Sequence, residues 1–144
     1  MKQRYSIDYG EAKEIIEYVA AEAGRRGKAA VIAVADTHGE LIAFARMDGA
    51  PVSSIRIAQN KAWTAARERK PTKEIGERAR HPEKGFEIAY FGDSKFVGWG
   101  GGMPVWRDGE VVGAVAVSGL PQEEDIELAT RAAEIVAHSG SDGG

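Results

Sequence analysis

The chain has 144 residues, a formal net charge of −3 and no cysteine. Its length suits one domain with its own core, and the lack of thiols excludes disulfides, thiolate catalysis and Cys-ligated metal centres. The slightly acidic balance gives no electrostatic reason to expect nucleic acid or an anionic membrane surface as a partner.

The first residues, MKQRYSIDYGEAKE, carry charge without an apolar stretch, so no secretory signal is expected. The apolar run at 29–35 is too short to span a bilayer. These features point to a cytoplasmic protein. One domain is expected over residues 1–138, and the SGSDGG ending has the composition of a frayed tail over 139–144.

Asp8 and Glu11 have the spacing of a capping box, and Ala12, Ile15, Ile16, Val19 and Ala23 then share one helical face. Gly24 and Gly27, among Arg25, Arg26 and Lys28, supply a stop. AAVIAVAD and LIAFARMD, joined by THGE, read as a hairpin. Its first strand is apolar nearly throughout and is expected at the sheet centre. A second helix is predicted over 55–69 with Ser53 or Ser54 as N-cap. Its inward face is Ile55, Ala58, Ala62, Ala65 and Ala66, with Arg56, Lys61, Arg67 and Lys70 outward.

Pro71 ends that helix, and TKEIGERAR forms a further short one. Residues 81–94 are the least patterned stretch; FEIAYF reads as a strand or an irregular connection, with a mobile lid or loop expected there. The segments 95–99 and 104–107 flank the glycine-rich GWGGGMP, Asp108-Gly109 marks a hairpin turn, and EVVGAVAVSG is the clearest strand. Pro121 opens a last helix whose early acids, Glu123, Glu124 and Asp125, suit its positive end. Hairpins join most neighbouring strands, so the sheet should be mainly antiparallel within three layers, α/β/α.

GWGGGMP does not fit a nucleotide loop. Counting from Gly98 or Gly100, the sixth residue is Met103 or Val105 rather than glycine, and a strand follows instead of a helix. A bend between two strands explains the glycines, as does close approach of their N–H groups to a ligand. His38, His81 and His138 lack metal-ligand spacing, so no metal site is expected, and nothing selects a haem axial ligand among them, the tyrosines, Met47 and Met103. Ser118 lacks the glycine that a nucleophile elbow needs at 116. Trp63, Trp99 and Trp106 serve packing or the stacking of a planar ligand. In ARMDGA, Arg46 and Asp48 lie two apart on one side of the sheet, either paired with each other or with Arg46 free to grip a carboxylate. Lys61 is either a surface lysine or a second cation beside them.

RMDGA at 46–50, A-x-x-K-A at 58–62, GG-x-P at 101–104, and VVGA-x-x-VSG ending at Gly119 with Asp125 following form an ordered set. Together they resemble the GlcG/HbpS family, DUF336 or haem-degrading-type domains, which also occur at the C-terminal end of some PduO-type corrinoid adenosyltransferases. The similarity runs from Asp8 to Ala137. Ala116 and Leu120 depart from it, standing where the family usually has glycine. The resemblance implies a profilin-like three-layer α/β/α sandwich, a homo-oligomer, and a binding module for a small molecule, haem or another tetrapyrrole or anionic ligand. Its site is expected at Arg46, Asp48, Lys61, Gly100, Gly101, Gly102 and Met103, with Arg46 neutralising a carboxylate and glycine N–H groups lining a pocket. Two other functions stay open: an enzyme on a small hydroxy- or oxo-acid, with Lys61 or Asp48 as acid/base, and a structural or sensor oligomer.

Overall fold

A computed structural model describes residues 4–139. The elements are α1 (Tyr9–Arg25), β1 (Val31–Asp36), β2 (Leu41–Arg46), α2 (Ser53–Glu68), α3 (Thr72–Ala79), β3 (Gly102–Arg107), β4 (Glu110–Ser118) and α4 (Gln122–Ser139). The strands form one antiparallel sheet in the order β2-β1-β4-β3, so the apolar β1 is central as its composition requires. Beyond Ser139, the expected tail lies outside the described residues, as does the His138 side chain.

Strand alternation divides the core into two unlike halves. Ile32 and Val34 of β1 and Val115 and Val117 of β4 point to one face, where they pack with Ile15 and Val19 of α1 and Leu128 and Val136 of α4. On the other face Ala33, Ala35, Ala114 and Ala116 meet Ala58, Ala62, Ala65 and Ala66 of α2. Branched side chains dominate one interface and methyl groups the other, where Val31 and Phe44 are the larger members. With so little side chain between them, α2 and the sheet can only close-pack by lying near each other.

Local signals explain most boundaries. The Asp8 carboxylate accepts from the Glu11 N–H and the Glu11 side chain answers at the Asp8 N–H, completing the capping box. Asp108 and Gly109 both take positive φ, 50° and 78°, the pairing a two-residue hairpin turn demands. Arg69 ends α2 in the left-handed region, two residues before Pro71.

Three expectations are corrected. Neither Ser53 nor Ser54 caps α2: Val52 is already helical, the Ser54 N–H bonds to Pro51 O, and both serines fall inside the first turn. Lys61 does not face outward; it is 3 % exposed. The glycines are not a bend between two strands: β3 follows them, but no strand leads into them, because the Thr64 hydroxyl accepts from Val97 N–H and donates to Lys95 O, satisfying that backbone without a ladder. FEIAYF likewise makes no strand and contains the 3₁₀ turn Ile88–Phe91. Arg46 and Asp48 make no ion pair among the described residues; the Arg46 guanidinium donates to Ala50 O at 3.3 Å.

Gly76 of α3 and Gly98 touch backbone to backbone, and a Cβ at either would collide with the other. Gly76→Ala is therefore expected to destabilise the fold by roughly 1–3 kcal/mol through overpacking. Gly24→Ala, in an open helical position, is expected to stabilise it by about 0.5–1 kcal/mol. Urea unfolding of the two variants checks both signs.

Candidate functional site

A cleft of about 400 Å³ opens where the N-terminal ends of α2 and α4 come together beside the C-terminal end of β4. Pro51, Ser53, Ser54, Ile57 and Lys61 form its α2 wall. Ser118, Gly119 and Leu120 continue from β4, Gln122 and Asp125 come from α4, and Trp99 with Gly100 completes the rim. Trp99 is 59 % exposed, so its indole offers an open face.

The cleft floor holds a buried ion pair. Lys61 Nζ lies 3.6 Å from Asp125 Oδ2 and donates to Val117 O at 3.1 Å, while Asp125 Oδ1 accepts from Leu120 N–H at 3.1 Å. Burial of Lys61 follows from its place in α2, one residue before Ala62 on the helix face that meets the sheet. Asp125 is carried inward by the first turn of α4 and is 4 % exposed. Its neighbour Glu124 turns the other way, to Arg26 and Lys28 at the end of α1.

Desolvation dominates the charge state of both groups. It pushes the Asp125 carboxyl up to about 6, against the pull of Lys61 and the Leu120 N–H. It also lowers the Lys61 ammonium, and the attraction of Asp125 only partly restores it. A proton is therefore held less tightly on nitrogen, and more tightly on oxygen, than either group would hold it in water.

The glycine loop closes over this pair. Gly101 has φ +123°, and a Cβ there would stand 2.5 Å from Val117 O and 2.8 Å from Lys61 Nζ. Gly102 would meet Lys61 O and the Thr72 methyl at 2.7 Å. The loop's N–H groups are partly engaged: Gly100 donates to Gln122 Oε1 and Gly102 to Thr72 Oγ1. Gly101, Gly102 and Met103 line a smaller hollow of about 70 Å³ with Pro71, Lys73, Ile126 and Ala129.

Of the seven candidate residues, Lys61 and Gly100 line the cleft, and Gly101 touches its buried amine. Arg46 and Asp48, at the end of the edge strand β2, are not among the lining residues. Asp125 escaped sequence reasoning as a site residue because early helix acids ordinarily sit in solvent. Its place in the VSG…Asp motif was the available signal. Ser118 stands in the same motif, whereas Ser54 and Gln122 carried no such signal. Among the described residues no cluster of three His, Asp or Glu side chains has metal-binding geometry.

Because Asp125 titrates near 6 in the fold and near 3.8 when solvated, the folded protein holds this proton where the unfolded chain has lost it. Its contribution therefore falls as pH rises between about 4 and 6, by at most about 1.4 kcal/mol per pH unit. In denaturant titrations Asp125→Asn is expected to lack that decline relative to wild type.

Comparison with known proteins places this geometry. The family model for haem degrading protein HbpS-like matches residues 7–134. Protein GlcG of Escherichia coli K12 is 36 % identical over 118 residues, 82 % of this chain and 85 % of GlcG. The crystal structure of Klebsiella pneumoniae protein ORFY, of DUF336, superposes with a TM-score of 0.89 at 32 % identity, covering 96 % of this chain and 95 % of ORFY. A PduOC:haem complex gives a TM-score of 0.83 at 27 % identity, covering 93 % and 96 %. The antiparallel sheet between helical layers is thus a shared fold, and the chain belongs to the GlcG/HbpS family.

Proposed function

We propose that the protein binds a small carboxylate-bearing ligand in the cleft above Lys61 and Asp125. The observation that carries this reading is a buried lysine on the floor of a cleft rimmed by two helix N-termini. Both features favour negative charge: the ammonium directly, and the helix ends through their dipoles. Asp125 holds the lysine in place, so a ligand meets a positioned cation rather than a flexible surface one. Pro51, Ile57, Leu120 and the Trp99 face supply apolar wall for the rest of the molecule.

Haem is one such ligand, supported by the family's description and the PduOC:haem neighbour. The lining fits the porphyrin edge and a propionate: an exposed indole to stack on and a cation within the cleft. Among the described residues its lining has no imidazole, thioether or phenol, so these residues supply no usual axial ligand to iron. In this reading Lys61 and the helix ends would hold a propionate and Trp99 the ring, while bound haem would bring the redox chemistry. A homo-oligomer is part of the same proposal, supported by the exposed Phe86, Tyr90 and Phe91. Among the described residues no helix is long and apolar enough to cross a membrane.

Haemin titration is expected to give a Soret band distinct from that of free haemin, with Trp99→Ala weakening the affinity about tenfold, near 1.4 kcal/mol. An unchanged band removes haem as the ligand. Calorimetry with L-lactate and pyruvate tests the broader reading, and heat from neither these nor haemin would overturn it.

A further inference from the structure

The amine of Lys61 is placed for more than charge neutralisation. An ammonium has three donor directions. One is used at Val117 O, 3.1 Å away, and one is turned towards Asp125 Oδ2 at an ion-pair separation of 3.6 Å. The missing side chain of Gly101 makes room for the nitrogen, since a Cβ there would stand 2.8 Å from it, and Lys61 lines the cleft. Asp125 is held by Leu120 N–H through its other oxygen, so Oδ2 stays turned to the amine. The site therefore brings together a nearly dry primary amine, a fixed carboxyl group beside it, and an opening to a cleft sized for a small molecule.

We propose that Lys61 forms a reversible imine with an α-oxo-carboxylate bound in this cleft, Asp125 carrying the proton. This rests on the cleft being the ligand site. The ligand's carboxylate would lie towards the helix N-termini at Ser53 and Gln122, which places the adjacent carbonyl carbon over Nζ. The nitrogen lone pair of neutral Lys61 adds to that carbon as the C=O π pair moves to oxygen. The two protons on nitrogen pass in turn through Asp125 to that oxygen, the first making the carbinolamine hydroxyl and the second converting it to water. The C–O bond then breaks, water leaves, and the nitrogen pair closes the C=N bond. Amine and carbonyl become imine and water with no change of oxidation state. Burial supports the step by lowering the Lys61 ammonium and raising the Asp125 carboxyl, which leaves more free amine and a carboxyl able to hold a proton.

Few other charged groups bear on the pair. Glu124, in the same turn of α4, faces Arg26 and Lys28; α2 offers the Ser54 hydroxyl, and β4 offers Ser118 and backbone carbonyl oxygen. The pH dependence of imine formation thus belongs chiefly to Lys61 and Asp125.

The test is reductive trapping: full-length protein, pyruvate and cyanoborohydride at about pH 7, followed by peptide mapping. Labelling at Lys61 is expected to exceed that at the exposed Lys73 and Lys95 by about tenfold, because desolvation leaves more of its amine unprotonated. Asp125→Asn is expected to slow the trapping and to remove its dependence on pH near 6. Lys61→Met is expected to abolish the adduct at that peptide, but the wild-type map alone decides the matter. Labelling at Lys61 no greater than at Lys73 and Lys95 would overturn the proposal. Calorimetry with L-lactate, which has no carbonyl, separates the two readings: lactate binding without a Lys61 adduct leaves the cleft as a carboxylate site and ends the imine. Binding of neither acid, with no adduct, ends the imine, and a failure of haemin to bind as well ends the carboxylate reading.

Discussion

The close packing of α2 on the sheet is the constraint from which the site follows. Alanines on both sides of that interface leave room for little besides backbone. A long side chain on the sheet-facing side of the helix cannot lie flat between the layers and must run along them to the nearest opening. Lys61 does this, reaching the place where β3 begins and Gly101 has no side chain to block it. With larger residues at Ala62 or Ala116 the helix would stand off, and the same lysine could reach water. Ala116 adds one methyl to this seam, and that methyl is fully buried.

The loop from 95 to 102 is the second determinant, and its order comes from side chains rather than from sheet hydrogen bonds. Thr64 binds the loop to α2 and Thr72 binds it to α3 and the start of β3. Gly76 and Gly98 bring backbone against backbone between these two fastenings. Trp63, beneath Arg67 and edge-on to Phe96, fills the space under the loop's first half. The rim of the cleft, Trp99 and Gly100, is thus carried on a segment attached at both ends.

Most of the architecture was legible because it is written in short-range patterns. The Asp8–Glu11 cap, the Asp108-Gly109 turn, the unbroken apolar run of β1 and the stripe of α4 each act within a few residues of themselves. The features that escaped depend on distant partners. Nothing near Lys61 says that it is buried, because A-Q-N-K-A reads equally well with the lysine outward; its direction is set by β4 and by Asp125, 64 positions later. Asp125 sits in an acidic helix start where only one of three acids turns inward. The serines before α2 have good capping chemistry, yet Pro51 and Val52 begin the helix earlier and draw them inside it. The family motifs located the glycine loop and the lysine, and their contact with Asp125 became visible only in three dimensions.

In a three-layer sandwich the sheet ordinarily insulates one helical layer from the other. Here the insulation is incomplete, because Lys61 belongs to the layer on the alanine face and Asp125 to the layer on the branched-residue face. They meet at the margin of the sheet, beside a residue with no side chain. A molecule that shifts this pair therefore acts on both layers at once. The pair thus ties together two helices that scarcely touch elsewhere.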